Sequence, residues 1–171
     1  MTRKLLSVLV AAIPAVALAD APPKPVANLE RFVGTWKGTG TMTMGKDKQK
    51  VDFTTTCKRT SAQFGVLCNS AFAGIPGMGP LEETDLFGYE PNSNTYHWFA
   101  VTNAGETHDH VAKVSDGNKL SYVYTGTQEG KPFKETIDLE WTKDGKTMTF
   151  HVESIVAGQV VATIDAKPQK Q

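Results

Sequence analysis

Between Gly34 and Ala166 the chain runs almost without pause through short segments in which apolar and polar residues alternate, punctuated by Gly, Asn, Asp and Pro. Alternation with period two is the signature of a strand with one buried face. About ten such segments at this spacing, with no helical pattern between them, predict consecutive antiparallel hairpins. A chain of that kind removes its exposed edges most simply by closing on itself. The expected fold is therefore all-β, an up-and-down antiparallel barrel with one short N-terminal helix over Val26–Val33.

The inner face can be read strand by strand. Trp36, Gly38, Gly40, Met42 and Met44 share one side of the first strand; Val51, Phe53, Thr55 and Cys57 share one side of the second. Val66, Cys68, Ser70 and Phe72 continue the set. Later come Phe133, Ile137, Leu139 and Trp141, then Met148, Phe150 and Val152, then Val160, Ala162 and Ile164. Glu135 falls on the Phe133–Trp141 face. It reads either as an inward carboxylate among large apolar residues or as a rim position near the barrel end, and the rim is favoured because an unpaired carboxylate is costly to bury. Glu82, Glu83 and Asp85 are split between faces by the same alternation and also read as a solvated rim. The connector Gly74–Pro80 carries two apolar residues, Ile75 and Met78, fit either to close a barrel mouth or to tuck over its end.

The ends carry a different message. Arg3 and Lys4 precede an apolar run, Leu5–Ala19, which finishes in Ala17-Leu18-Ala19, a small-x-small cleavage pattern. Residues 1–19 read as a signal peptide cut after Ala19, which predicts a periplasmic or secreted protein. The run is shorter than the roughly 20 residues of a membrane span. What remains suits one domain: a Pro-rich leader at 20–26, the barrel at 27–166, and a frayed tail at 167–171. The chain has 18 basic and 18 acidic residues. With Arg3 and Lys4 removed it has a slight acid excess and no basic tract, so nucleic acid is not an expected partner.

Cys57 and Cys68 are the only cysteines. In an oxidising compartment two cysteines favour one disulfide. With Thr60 opposite Gly65 in a hairpin, they face each other on neighbouring strands.

His108-Asp109-His110 is the polar constellation of the barrel. Residues two apart on a strand share a face, so both histidines point inward with Ala112 and Val114. A two-residue turn at Ala104-Gly105 pairs Val101 with His108 and Phe99 with His110, and brings His97 onto the same face. Three imidazoles at His97, His108 and His110 make a candidate site for a transition metal or haem. A one-residue slip in register sends His97 to the other face and breaks that cluster. The plainer alternatives are a rim position for His108, a hydrogen bond from His110 to Tyr122 or Tyr124, and use of both histidines to orient a polar ligand group. His151 alternates outward.

The helix followed by Gly34-Thr35-Trp36 resembles the opening of the calycin superfamily of lipocalins and fatty-acid-binding proteins. The longer Gly34-Thr35-Trp36-Lys37-Gly38-x-Gly40 is similar to the start of nitrobindin-type haem barrels. Gly88-Tyr89-Glu90-Pro91 before a strand bearing Tyr96 and Trp98 resembles a bacterial lipocalin-like family of unknown function, over residues 28 to 165. Two departures stand out. Lipocalins lay an arginine from the last strand over this Trp, and Val160–Ala166 has none. Nitrobindins bind haem through a late-strand His, where this chain has only His151.

No Gly-x-Ser-x-Gly, His-Glu-x-x-His or phosphate-cradling glycine loop is present, so nothing in the sequence argues for an enzyme. The expected function is non-catalytic binding of a small apolar molecule, with no obligatory cofactor. Trp36, Met42, Phe53, Phe72, Phe133, Trp141 and Phe150 would form the pocket, and His108, His110, Tyr122 and Tyr124 its polar contacts. The alternatives are the metal or haem barrel and a ligand-free scaffold of the cell envelope.

Overall fold

Each alternating segment forms a strand, and the strands pair in sequence order. The structure, a computed structural model, describes residues 22–171 apart from 62, 76 and 78. The expected signal peptide at 1–19 and its cleavage site lie outside the described residues. β1 (Gly34–Met44), β2 (Asp47–Arg59), β3 (Val66–Ala73), β4 (Leu81–Glu90) and β5 (Thr95–Thr102) form the first half of the sheet. β6 (Thr107–Lys113), β7 (Lys119–Gln128), β8 (Lys131–Trp141), β9 (Met148–Val156) and β10 (Gln159–Ala166) form the second. β10 returns to pair with β1, from Gly40↔Ala166 to Thr43↔Thr163, and closes a ten-stranded antiparallel barrel.

Closure depends on two glycines that let backbones approach. A Cβ on Gly40 would stand 2.7 Å from the Asp165 carbonyl oxygen, and one on Gly38 would stand 2.9 Å from Pro168 Cα. Both are too close for a side chain. Pro168 belongs to the segment expected to fray. Instead, β11 (Gln169–Lys170) pairs with β1 at Trp36↔Lys170 and Lys37↔Gln169. The Met148 N–H donates to the Pro168 carbonyl at 3.0 Å, and the Gln171 N–H donates to the Thr35 carbonyl at 2.9 Å. β10 covers only one half of β1; the tail is held because it covers the other half, whose edge would stay open.

The leader also needs correction. Helix α1 spans Lys24–Asn28 and passes into a 3-10 turn, Leu29–Phe32. Pro23 caps the helix and Pro25 sits in its first turn, where a missing N–H costs nothing. Val26, Leu29 and Phe32 are buried and plug one end of the barrel. Phe32 stacks on Phe87 at 4.3 Å between ring centroids and meets Trp141 edge-on at 5.1 Å. Trp36 Nε1 donates to the Phe32 carbonyl at 2.9 Å. The arginine missing over this Trp has a counterpart in the tail, for Lys170 Nζ lies 5.4 Å from the Trp36 ring centroid.

Cys57 and Cys68 are directly opposed in the β2–β3 register and are bonded, at S–S 2.02 Å. The β5–β6 hairpin departs from expectation. Its loop holds three residues, Asn103–Gly105, with Gly105 at φ 84°, and the Thr102 N–H donates to the Glu106 carbonyl at 3.0 Å. A three-residue loop with a left-handed glycine displaces the pairing by one residue relative to a two-residue turn. Trp98 therefore faces His110, and Ala100 faces His108.

Candidate functional site

That displacement decides which polar groups meet. His97 pairs with Val111 and lies on the outer face, its Nδ1 3.0 Å from Asp109 Oδ1 and its Nε2 3.2 Å from Thr95 Oγ1. The expected convergence of His97 with His108 and His110 does not form. The third member is Glu135, opposite Tyr124 on β7 and Ser154 on β9.

Glu135 does not sit as a solvated rim carboxylate. Its side chain is 18% exposed, and His110, itself 2% exposed, donates from Nε2 to Glu135 Oε2 at 2.8 Å. His108 Nδ1 stands 3.8 Å from the same oxygen, and Ser154 Oγ donates to Oε1 at 2.9 Å. Burial alone would raise this carboxyl; the donors at His108, His110 and Ser154 outweigh it and hold the group at about 2. The imidazole of His108 stacks on Tyr124, 4.1 Å between centroids and 15° between planes. This stack spans a seam, since β6 and β7 are registered at one pair only, Val111↔Val123.

A second acid group lies deeper. Asp85, 1% exposed, accepts from Trp98 Nε1 at 2.7 Å and from Ser70 Oγ at 3.0 Å, and Ser70 accepts from Thr55 Oγ1 at 3.0 Å. Glu83 shares this inner face. Burial, reinforced by the charges of Asp85 and Glu135, pushes the Glu83 carboxyl up to about 9. Burial raises Asp85 as well, against hydrogen bonds from Glu83, Trp98 and Ser70. Of the two, Glu83 is the one that burial leaves as the neutral acid, because the neutral donors Trp98 and Ser70 already serve Asp85. The expected solvated rim at 82–85 is correct only for Glu82, which is exposed.

Asp85 and Ser70 line a smaller void, whereas Glu83, His108, His110 and Glu135 border an inner cavity of about 140 Å³. Its apolar wall includes Phe72, Trp98, Ala100, Phe150, Val152 and Ile164, and its polar side includes Glu83, Glu106, His108, His110 and Glu135. Among the described residues no lysine or arginine lines it. Ile75 of the β3–β4 connector reaches over it; Pro76 and Met78 lie outside the described residues. Through Glu106, His108 and Glu135 the cavity meets a wider groove of about 450 Å³ between the ends of several strands, lined also by Met44, Tyr124, Phe133, Ser154 and Ala162.

The expected pocket residues thus separate. Phe72, Phe150, His108 and His110 face the inner cavity, and Tyr124 and Phe133 face the groove. Trp36 and Phe53 line a smaller void of about 50 Å³ near the plugged end, beside Cys57 and Cys68. Trp141 packs against Phe32 and lies beneath the Arg31 guanidinium, 4.9 Å away. Tyr122 is fully buried, edge-on to Trp98 at 5.6 Å, and Met42 pairs with Ile164 in the closing seam. None of these last three lines either cavity. Trp98, Glu83, Asp85 and Ser154 were absent from the expected set. Their inward alternation was legible, but not their partners.

His151, the late-strand histidine, lies on the outer face with Nδ1 2.7 Å from Asp165 Oδ1.

The fold and site define a class: a closed ten-stranded antiparallel barrel, plugged by a helix at one end, with an acid–histidine cluster in its interior. Over residues 21–117 the chain matches the family described as "Protein of unknown function (DUF1579)", and it belongs to that family. The crystal structure of Rv2717c from M. tuberculosis is similar, with a TM-score of 0.64 and 12% identity over 88% of this chain and 99% of that one. At that identity the likeness is one of fold. No curated protein matches the chain. Among the described residues no helix is long and apolar enough to cross a membrane.

Proposed function

We propose that this protein is an exported, non-catalytic binding barrel for a small amphipathic molecule. The apolar part of the ligand occupies the inner cavity, and its polar group reaches His108 and Glu135. The observation that carries this reading is the lining itself: aromatic and aliphatic walls on one side, convergent polar groups on the other. A volume of about 140 Å³ limits the enclosed part to roughly the size of benzene, which fits an engineered cavity of about 150 Å³ in another protein. A longer ligand extends past Glu106, His108 and Glu135 into the wider groove. Burial of its apolar surface supplies affinity, at about 25 cal/mol per Å². Export rests on the expected signal peptide at 1–19, and the Cys57–Cys68 disulfide is in keeping with an oxidising compartment.

Native mass spectrometry of protein recovered from a bacterial periplasm, produced with its own leader, tests the reading. An organic adduct that exchanges with an added apolar fluorophore is expected. A bare mass, together with no fluorophore binding at any concentration tried, would leave a ligand-free scaffold instead.

A further inference from the structure

Residues His108, His110 and Glu135 each offer one ligand atom, and these atoms all lie within 4.8 Å of one another. From this we infer that the barrel holds one divalent transition-metal ion, bound by two histidines and a carboxylate. The inference is independent of the organic-ligand reading and stands on its own geometry.

Four observations support it. Two histidines two apart on β6 present their rings to one side, and β8 supplies the carboxylate from across the seam. His108 Nδ1 and His110 Nε2 stand 3.8 and 2.8 Å from Glu135 Oε2. Tetrahedral ligands about 2.0–2.1 Å from zinc stand roughly 3.4 Å apart, so the two histidine–carboxylate separations need shifts of about half an ångström, and the two imidazoles, whose ligand atoms lie within 4.8 Å, close by at most about 1.4 Å. Ser154 engages Oε1 and leaves Oε2 toward the histidines, while the Tyr124 stack fixes the plane of His108. Finally, the cavity wall carries the carboxylates of Glu106 and Glu135 and, among the described residues, no lysine or arginine, an environment that favours a cation. Nitrogen and oxygen donors in this number suit zinc or a neighbouring divalent ion, and the cavity side leaves a coordination position open for water or a ligand atom.

The test is titration of the full mature chain, stripped with EDTA, with Zn(II) by calorimetry and with Co(II) by visible absorption. One equivalent is expected to bind, and Co(II) should develop the intense d–d bands of a four- or five-coordinate site. H108A and E135Q should abolish that equivalent, S154A should weaken it about 10-fold, and the double variant H97A/H151A should retain it. His108 is less buried than His110, so H108A is the variant expected to fold normally, and circular dichroism of each variant checks this. No binding, or binding that survives H108A and E135Q, or binding lost only in H97A/H151A, overturns the inference. Repeating the fluorophore assay in EDTA separates this outcome from failure of the organic-ligand reading.

Discussion

Glu135 and His110, 25 positions apart in sequence, are joined by a 2.8 Å hydrogen bond inside the barrel. The bond crosses the β6–β7 seam, where the backbone ladder is reduced to one registered pair. Side chains therefore do much of the joining at this place, and the same side chains border the cavity.

Replacement of Glu135 measures that contribution. Glu135→Ala strands a buried donor on His110 and should cost about 3 kcal/mol in urea unfolding at neutral pH. The pH dependence has a definite sign. The folded carboxyl titrates at about 2, below its ordinary value of 4.5, so the stability it contributes is complete above about pH 4.5 and disappears as pH falls toward 2. Comparison of unfolding at pH 3 and pH 6 should show the loss in the parent and a flatter response in Glu135→Gln.

Glu83 acts in the opposite sense. Its folded carboxyl is raised to about 9, so between pH 4.5 and 9 the folded state binds the proton that the unfolded state releases. Its contribution is greatest at or below pH 4.5 and falls as pH rises, by up to about 1.4 kcal/mol per unit. Glu83→Gln should be more stable than the parent at pH 8 and about equal to it at pH 4. An equal stability difference at both values would refute the buried acid pair.

The disulfide closes a short loop, 11 residues in separation. Loop-entropy arguments give about 3 kcal/mol for a closure of this length. The double variant Cys57→Ser/Cys68→Ser should lose that amount in urea titration, and the parent should lose a similar amount after reduction.

Ala100 offers a way to fill the inner cavity from its wall. Ala100→Met should abolish binding of an apolar fluorophore while changing stability by less than about 1.5 kcal/mol, since the added methylenes enter existing space. Fluorophore binding unchanged by this substitution would place the organic site elsewhere.

The C-terminal tail should matter to closure. Lys170→Ala removes the ammonium and stem over Trp36 and should cost about 0.5–1 kcal/mol. Deletion of residues 167–171 also exposes one half of β1, and should lower the thermal midpoint well beyond the point substitution.

Much of this architecture is legible in the sequence alone. Period-two alternation is a local property of the pleat, so the strands, their inward faces and the opposition of Cys57 to Cys68 follow from residues a few positions apart. Gly38 and Gly40 marked a place where the first strand needed room, though not what would occupy it. The tertiary structure alone decided the rest. The Asn103–Gly105 loop, with its left-handed glycine, shifted one register and sent His97 outward. Meeting of β6 with β8 across β7, which is registered with β6 at one pair only, turned Glu135 from an expected rim residue into the partner of His108 and His110. Closure likewise drew residues 167–171 onto the uncovered half of β1. The physical reason is common to all three. Alternation specifies the side of a strand on which a residue lies. Loop geometry and barrel closure specify its opposite neighbour, and a buried charge depends on that neighbour.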